Sequence, residues 1–424
     1  MIRRPSHVLV LLTGLNLLNY LDRFVLSAVL PKVQDDLHLS NFVAGSLAFW
    51  FLIVFTGTSP IFGYLASIGP STGRPGIRPR LVATGIGLWS LATLASGFAQ
   101  GPVGLVAARA SVGVGEASYT TIAPALLDEI SPPASKARWM SFFSVATPVG
   151  AALGYIVGGA VEHATGSWRA AFFVAGGPGL VLAALCLFIE DASHNARDRV
   201  RLTWEAVTPL FGRPVLILTI LGFCAYNFAM GGFAFWAPKY VATTYSLEIG
   251  KASFQFGLVT VAGGFVGTLV GGALCDARTK SLERRGMEAD AAASAASLEI
   301  CALSALIGAP FAAAALLAPR AGSFFALAFV CEAGLFLSGG PINVAVLKSV
   351  PPHLRAIAMS MTILGIHALG DIWSPMLIGL VWDHAPGVWA MMFIPVAFAL
   401  GSVIWFVGSR SARSASGASV LAAG

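Results

Sequence analysis

Two adjacent charged residues, Asp22 and Arg23, lie inside an apolar stretch that extends over about residues 7–30. A single charge at the centre of a bilayer costs about 2.5–3.5 kcal/mol on insertion scales. A second apolar stretch holds Arg109 and Glu116, which are seven residues apart and therefore share one face of a helix. Charges persist in a membrane when they pair or line a water-filled path, so these four residues are the first candidates for function.

The same residue types suit proton transfer. Burial disfavours the charged form of a carboxylic acid and a neighbouring arginine favours it, so a change in solvent access makes such an acid bind or release a proton. We predict that Asp22 and Glu116 couple the protein's activity to protons and that Arg109 binds an anionic group of a substrate. Arg23 is predicted to be a structural or gating charge. The alternative is a static ion pair that ties the two helices together.

Composition indicates the elements that must position these charges. Of the 424 residues 56% are hydrophobic and 11% are charged, whereas soluble proteins carry about 25% charged residues. Apolar runs of about 20 residues, the length that crosses a bilayer as a helix, recur along the chain. The chain is therefore predicted to be an all-α, multi-pass membrane protein. The sequence contains no recognisable nucleotide-binding loop, metal-ligand cluster or catalytic cluster, so we expect no enzyme activity and no cofactor.

Twelve transmembrane helices are predicted, with both termini in the cytoplasm. The spans are residues 7–30, 41–66, 80–99, 102–128, 138–161, 169–189, 214–237, 252–275, 296–318, 321–347, 354–381 and 388–408. They form two six-helix bundles, 1–189 and 214–408, joined by a cytoplasmic linker, 190–213, and followed by a disordered tail, 409–424. Helical rise puts Asp22 and Arg109 at similar depth in the first and fourth spans.

Orientation follows from the 26 Lys and Arg residues. Alternating spans with a cytoplasmic N-terminus place 19 of them inside and 5 outside, with Arg23 and Arg109 within spans. This bias predicts the topology, and it explains the net charge of +6 without a nucleic-acid partner.

Two small-residue pairs, Gly154-x-x-x-Gly158 and Gly267-x-x-x-Gly271, are predicted to pack span five against span eight.

Two six-span halves around a long linker resemble the major facilitator superfamily, whose halves are structural repeats. The superfamily's loop signature Gly-x-Leu-x-Asp-Arg is partly present. Ser67 replaces the acid in the first copy, whereas the second copy keeps Asp276. Asp276 is accordingly a predicted gating charge.

Three segments resemble the Spinster family of lipid and lysolipid transporters within that superfamily. They are Asn19–Phe24 (NYLDRF), Arg109 with Gly113–Tyr119 (GVGEASY), and His367–Pro375 (HALGDIWSP). The resemblance implies that Asp22, Arg23, Arg109 and Glu116 form a proton-linked charge cluster. It also implies alternating access by movement of the two halves.

Further polar residues lie in predicted spans. Predicted substrate-binding residues, besides Arg109, are Tyr119, Glu332, Asn227 and Asn343. His367 and Asp371, spaced i, i+4 on one helix face, are predicted to have a structural or gating role. Aromatic residues are abundant in spans two and seven, which suits an amphiphile with a charged head group and an alkyl chain.

The sequence therefore predicts a proton-coupled secondary transporter of a lysophospholipid or sphingoid-type amphiphile. Its partners would be that substrate, protons and membrane lipids, and it would act as a monomer in a bacterial inner membrane. One alternative is a proton-linked exporter of drugs or small organic anions. Another is a lipid scramblase or a non-transporting sensor.

Overall fold

The structure is a computed structural model that describes residues 4–68, 77–132, 135–189 and 204–423. The predicted linker comprises residues 190–213, and most of it, residues 190–203, lies outside the described residues. The helices are α1 Pro5–Leu37, α2 Asn41–Ile68, α3 Ile77–Gly97, α4 Pro102–Ile130, α5 Lys136–Thr165, α6 Trp168–Cys186, α7 Trp204–Phe211, α8 Pro214–Thr244, α9 Ile249–Glu283, α10 Ala289–Leu316, α11 Ala321–Phe336, α12 Pro341–Lys348, α13 Arg355–Ile366, α14 Ser374–Trp382, α15 Gly387–Met391 and α16 Phe393–Ala423.

Ten segments of the described chain are long and apolar enough to cross a membrane. Predicted spans three and four correspond to α3 and α4, helices of 21 and 29 residues that fall outside this set. α4 is of spanning length, but Arg109 and Glu116 lower its hydropathy. Twelve spans therefore remain the prediction from the sequence.

Two predicted spans are interrupted. The tenth consists of α11 and α12, which are separated by a turn at 337–340, before Pro341. Proline has no backbone N–H, so it tolerates the first position of a helix but cannot continue the hydrogen-bonding of a preceding one. The eleventh contains a π-helical turn, His367–Asp371, between α13 and α14. Such turns are rare and frequently lie at functional sites.

The described chain forms two compact units. The first comprises Met1–Arg199, Ala234–Leu258 and Pro375–His384, and the second comprises Val200–Phe233, Val259–Ser374 and Ala385–Gly424. The first unit thus contains α1–α6 together with one end each of α8 and α9 and most of α14. The predicted halves, in contrast, divide the chain at the linker.

The two glycine pairs do not make the contact predicted for them, although span five does meet span eight elsewhere, at Gly159 and Gly250. A methyl group on Gly154 of α5 would lie 2.6 Å from the Leu21 carbonyl oxygen of α1, so α5 packs on α1 there. A methyl group on Gly271 of α9 would lie 2.1 Å from the Leu337 carbonyl oxygen, at the end of α11. Small residues at helical spacing allow a close approach but do not specify which helix approaches.

The last helix is longer than the predicted span. The sequence predicts a disordered tail from residue 409, whereas the α16 backbone is helical through Ala423. Alanine recurs through this segment and has the highest helix propensity of any residue, which favours continuation of the helix.

Candidate functional site

Two ion pairs connect α1 and α4 inside the first unit. Arg23 Nε lies 2.7 Å from Glu116 Oε2, and Arg109 Nη1 lies 3.4 Å from Asp22 Oδ1. Glu116 is 0% exposed and Asp22 is 1% exposed. Each helix therefore contributes one acid and one arginine, and each acid is paired with the arginine of the other helix.

Neighbouring helices hold the pairs in place. Thr93 Oγ1 of α3 donates a hydrogen bond of 2.8 Å to the second oxygen of Asp22. The Arg23 guanidinium lies 5.1 and 5.0 Å from the ring centroids of Phe51 and Phe55 on α2, and Arg109 lies 5.7 Å from that of Phe51. Aromatic faces attract cations, so α2 stabilises both arginines in a site that offers them little water.

Three polar residues of the site have atoms without a hydrogen-bond partner among the described residues. Glu116 Oε1, Arg109 Nε and both side-chain amide atoms of Asn19 are buried in this way. A buried polar atom without a partner costs about 1–3 kcal/mol. These atoms are therefore positions at which a proton, water or polar ligand would be stabilised.

Glycines beside the charged residues bring the helices together. A methyl group on Gly113 would lie 2.4 Å from the Phe51 carbonyl oxygen of α2, and one on Gly115 would lie 2.4 Å from the Gly85 carbonyl oxygen of α3. α4 is therefore in backbone contact with both neighbours at the depth of its two charges, which limits the directions in which Arg109 and Glu116 can turn.

Tyr119 packs among the helices of the first unit. Its side chain is fully buried, its hydroxyl donates a 2.6 Å hydrogen bond to the Leu12 carbonyl oxygen of α1, and its ring packs edge-on against Trp89. Tyr119 thus connects α1, α3 and α4, and its contact with substrate remains a prediction. The sequence places it three residues from Glu116, but the rotation of α4 turns it into the helix packing.

His367 and Asp371 form the predicted pair within the π-helical turn. His367 Nδ1 lies 2.9 Å from Asp371 Oδ1 and 3.1 Å from Oδ2. A methyl group on Gly231 of α8 would lie 2.9 Å from the Asp371 Cβ. The pair therefore lies where α8 approaches this turn closely, which agrees with a structural position; its role in gating remains a prediction.

The other predicted substrate-binding residues lie in the second unit. Glu332 of α11 is 3% exposed, and its Oε2 has no hydrogen-bond partner among the described residues. Asn227 donates to the Phe223 carbonyl oxygen of its own helix at 3.0 Å, and the exposed Asn343 donates to the Gly339 carbonyl oxygen at 3.2 Å. The two amides are thus bonded locally, whereas Glu332 retains an unused acceptor.

Asp276 is exposed on α9. The arginine two residues later, Arg278, donates a 2.6 Å hydrogen bond from Nε to Glu299 Oε2 of α10. In the first half, Arg78 of α3 forms a bidentate pair with Glu129 of α4, with both contacts at 2.8 Å. Both basic segments are therefore tied to the next helix by an arginine, and the gating role of Asp276 remains a prediction.

Sequence reasoning missed a polar cluster at the start of α2, which we call the α2 cap cluster: Gln34, Asn41, Lys239 and Asp383. Asp383 accepts hydrogen bonds from the backbone N–H groups of Asn41, at 2.8 Å, and of Phe42, at 2.9 Å. Lys239 Nζ donates to Gln34 Oε1 at 2.5 Å and to Asn41 Oδ1, and it lies over the Trp236 and Trp382 rings.

The α2 cap cluster belongs entirely to the first unit, although Lys239 and Asp383 follow the linker in sequence. Its one sequence signal was the position of Asp383, an acid just after a span.

Burial tends to raise the pKa of Asp383, but the hydrogen bonds from the Phe42 and Asn41 backbone outweigh it and lower that pKa from its ordinary value of 3.8. The ionised carboxylate is thus stabilised at the N-terminus of α2.

Metal chemistry has no candidate ligands within the part of the chain that the structure describes, because no group of three His, Cys, Asp or Glu residues converges there. The five cysteines, Cys186, Cys224, Cys275, Cys301 and Cys331, are free and buried.

Comparison with known proteins shows where this arrangement belongs. A model of the Major Facilitator Superfamily matches residues 12–375. The chain is 31% identical over 443 residues to the probable sphingolipid transporter spinster homolog 2 of Arabidopsis thaliana, which covers 95% of this chain and 87% of the relative. It is 32% identical over 419 residues to protein spinster homolog 1 of Homo sapiens, covering 92% of this chain and 75% of the relative.

Solved structures share the fold. The crystal structure of a bacterial homologue of the human lysosomal transporter Spinster, inward-facing and unoccupied, matches with a TM-score of 0.79 at 19% identity and covers 98% of both chains. The D-xylose–proton symporter matches with a TM-score of 0.72 at 18% identity, covering 94% of this chain and 96% of that one. The chain is a multi-pass membrane transporter, not an enzyme, and it belongs to the Spinster family of the major facilitator superfamily.

Proposed function

We propose that this transporter moves a lysophospholipid or sphingoid-type amphiphile across a bacterial inner membrane and couples that movement to protons. The observation that carries the proposal is the pair of crossed ion pairs between α1 and α4, buried and incompletely hydrogen-bonded. The name of the Arabidopsis relative, a probable sphingolipid transporter, supports a lipid-like substrate.

Proton binding would act on the Arg23–Glu116 pair. Glu116 Oε1 has no hydrogen-bond partner among the described residues, so a proton can add there while Oε2 faces Arg23. Neutral Glu116 attracts Arg23 less strongly, which weakens one of the two ion pairs between α1 and α4. The membrane potential contributes about 2.3 kcal/mol per charge moved through 100 mV, enough to drive accumulation when one proton is exchanged.

Substrate would act on the Arg109–Asp22 pair. Its N–O distance of 3.4 Å is long for an ion pair, and Arg109 Nε donates to no described residue. Guanidinium groups bind phosphate in a bidentate manner, so a head-group phosphate competes well with Asp22 for Arg109. Asp22 then loses its counter-charge and is favoured to take up a proton, which couples the two events.

In the second unit, Glu332 would be the residue that binds a proton or a cationic head group. Its buried Oε2 suits a proton or the ammonium group of a sphingoid base. Asn227 and Asn343 are the additional amide groups that we assign to substrate contact in this half. The α2 cap cluster, on the predicted topology, would hold the outer ends of the first unit's helices together while the substrate is exchanged inside.

Proteoliposomes test the coupling. We expect Glu116→Gln to lose the dependence of labelled lysolipid uptake on a pH gradient, because the neutral amide cannot exchange a proton. The matched control is Glu283→Gln, which removes an exposed acid from α9 and should retain that dependence. The coupling proposal would be overturned if wild-type uptake did not depend on the pH gradient. It would also be overturned if Glu116→Gln retained the wild-type dependence on that gradient.

Competition tests the substrate class. Unlabelled lysophospholipid and sphingosine should reduce labelled lysolipid uptake, whereas hydrophilic organic anions should not. Preferential competition by the anions would favour the organic-anion exporter instead. Equilibration of all lipids without a gradient, unaffected by Glu116→Gln, would favour a scramblase.

A further inference from the structure

A cleft of about 690 Å³ lies in the second unit between α9, α10 and α16, and it shares no residue with the α1–α4 site. Its size is within the range of about 300–1,000 Å³ that is usual for small-molecule sites. Its lining residues include Arg278, Glu299, Leu303, Leu306, Val403, Phe406, Arg410 and Arg413.

One end of this cleft carries an excess of positive charge. Three arginines, Arg278, Arg410 and Arg413, line this cleft together with a single carboxylate, that of Glu299. Arg278 and Arg413 each donate a hydrogen bond to Glu299, through its two different oxygens. A guanidinium has five N–H donors, so most of the donors of these arginines remain for another acceptor.

The rest of the cleft is apolar. Leu303 and Leu306 of α10 are 38% and 61% exposed, and Val403 and Phe406 of α16 are 61% and 48% exposed. Ser402 Oγ donates to the Ala302 carbonyl oxygen at 2.8 Å, which joins α16 to α10 along the floor. From Glu299 to Leu306 the wall extends about 10 Å along α10.

Charge and apolar surface are thus arranged in sequence, with cations at one end and an apolar groove leading away from them. All three arginines belong to segments that the basic-residue bias assigns to the cytoplasmic side. Basic pockets between membrane helices on that side bind the head groups of anionic lipids. A zwitterionic head group suits the cleft less well, because its ammonium would face the unneutralised arginines.

We propose that this cleft binds an anionic phospholipid of the surrounding bilayer, with the phosphate on Arg278, Arg410 and Arg413 and one acyl chain along Leu303, Leu306, Val403 and Phe406. The bound lipid is a structural partner of α10 and α16 and does not depend on which substrate the α1–α4 site transports.

Native mass spectrometry of the detergent-purified protein tests this. With phosphatidylglycerol as the probe, Arg410→Gln with Arg413→Gln should weaken binding about 25-fold, from about fivefold for each basic side chain. Glu299 keeps Arg278 as its partner in this variant. The matched control is Arg284→Gln, an exposed arginine at the same end of α9 that does not line the cleft, which should bind within twofold of the wild type.

Three further measurements make the outcome decisive. Arg410→Gln alone should weaken binding about fivefold, and it removes an exposed side chain that stacks on Phe406, so folding is preserved. Phosphatidylcholine should bind more weakly than phosphatidylglycerol to the wild type. Equal binding of the two lipids, an unchanged affinity in both cleft variants, or full displacement of phosphatidylglycerol by inorganic phosphate would overturn the proposal.

Discussion

At the scale of single residues, the crossed pairs make the charges of α1 and α4 depend on one another. A buried ion pair is weak evidence for stability, since desolvation offsets much of its attraction, but removal of one partner leaves an uncompensated buried charge. The arrangement is therefore tolerant of coordinated changes and sensitive to single ones.

We expect Asp22→Ala to destabilise the protein by about 3–5 kcal/mol, because buried Arg109 loses its carboxylate. Adding Arg109→Gln removes the unpaired charge and should recover most of that loss, while transport stays impaired. Thermal unfolding in detergent measures both variants. A double variant no more stable than Asp22→Ala would show that the pair's electrostatics do not explain the loss.

At the scale of helices, backbone contact sets where the charges lie. Gly115→Ala should destabilise the protein by about 1–3 kcal/mol, because the added methyl group would meet the Gly85 carbonyl oxygen at 2.4 Å and the Trp89 amide nitrogen at 2.5 Å. Gly104→Ala, on the same helix with no atom within 4 Å of the added methyl group, is the control and should cause no loss. Thermal unfolding of both variants checks the difference, and equal effects would contradict the packing.

The cap of α2 predicts a pH dependence. The pKa of Asp383 is lower than 3.8 in the folded protein, so its stabilising contribution is complete above that pH and is lost as the pH falls through the lowered value. Asp383→Ala should therefore cost roughly 1 kcal/mol near neutral pH, and the difference from the wild type should shrink as the pH falls below 3.8. Unfolding curves of the two proteins between pH 3 and 7 measure this. A difference that grew as the pH fell would contradict the cap.

At the scale of the whole molecule, the charge bias predicts the orientation in the membrane. The exposed Ser246, between α8 and α9, is predicted to lie outside, and Arg284, beyond α9, is predicted to lie in the cytoplasm. In intact cells a membrane-impermeant maleimide should label Ser246→Cys, and it should label Arg284→Cys only after permeabilisation. The five native cysteines are buried and give a low background. The reverse pattern would invert the topology.

The sequence by itself determined the class of the protein and the identity of its central charges. Hydropathy, span length and the position of Asp22, Arg23, Arg109 and Glu116 are local properties, and helical rise alone placed Asp22 and Arg109 at one depth. The family segments are also contiguous in sequence, so they were readable without a structure.

Only the tertiary structure decided which groups meet. The rotation of each helix about its axis, and its neighbours, decide which arginine pairs with which acid and which helix packs against Gly154. The same rotation buries Tyr119 against α1. Contacts such as Asp383 with Asn41 join residues more than 300 positions apart, and no local pattern specifies them, because helix packing is a property of many side chains at once.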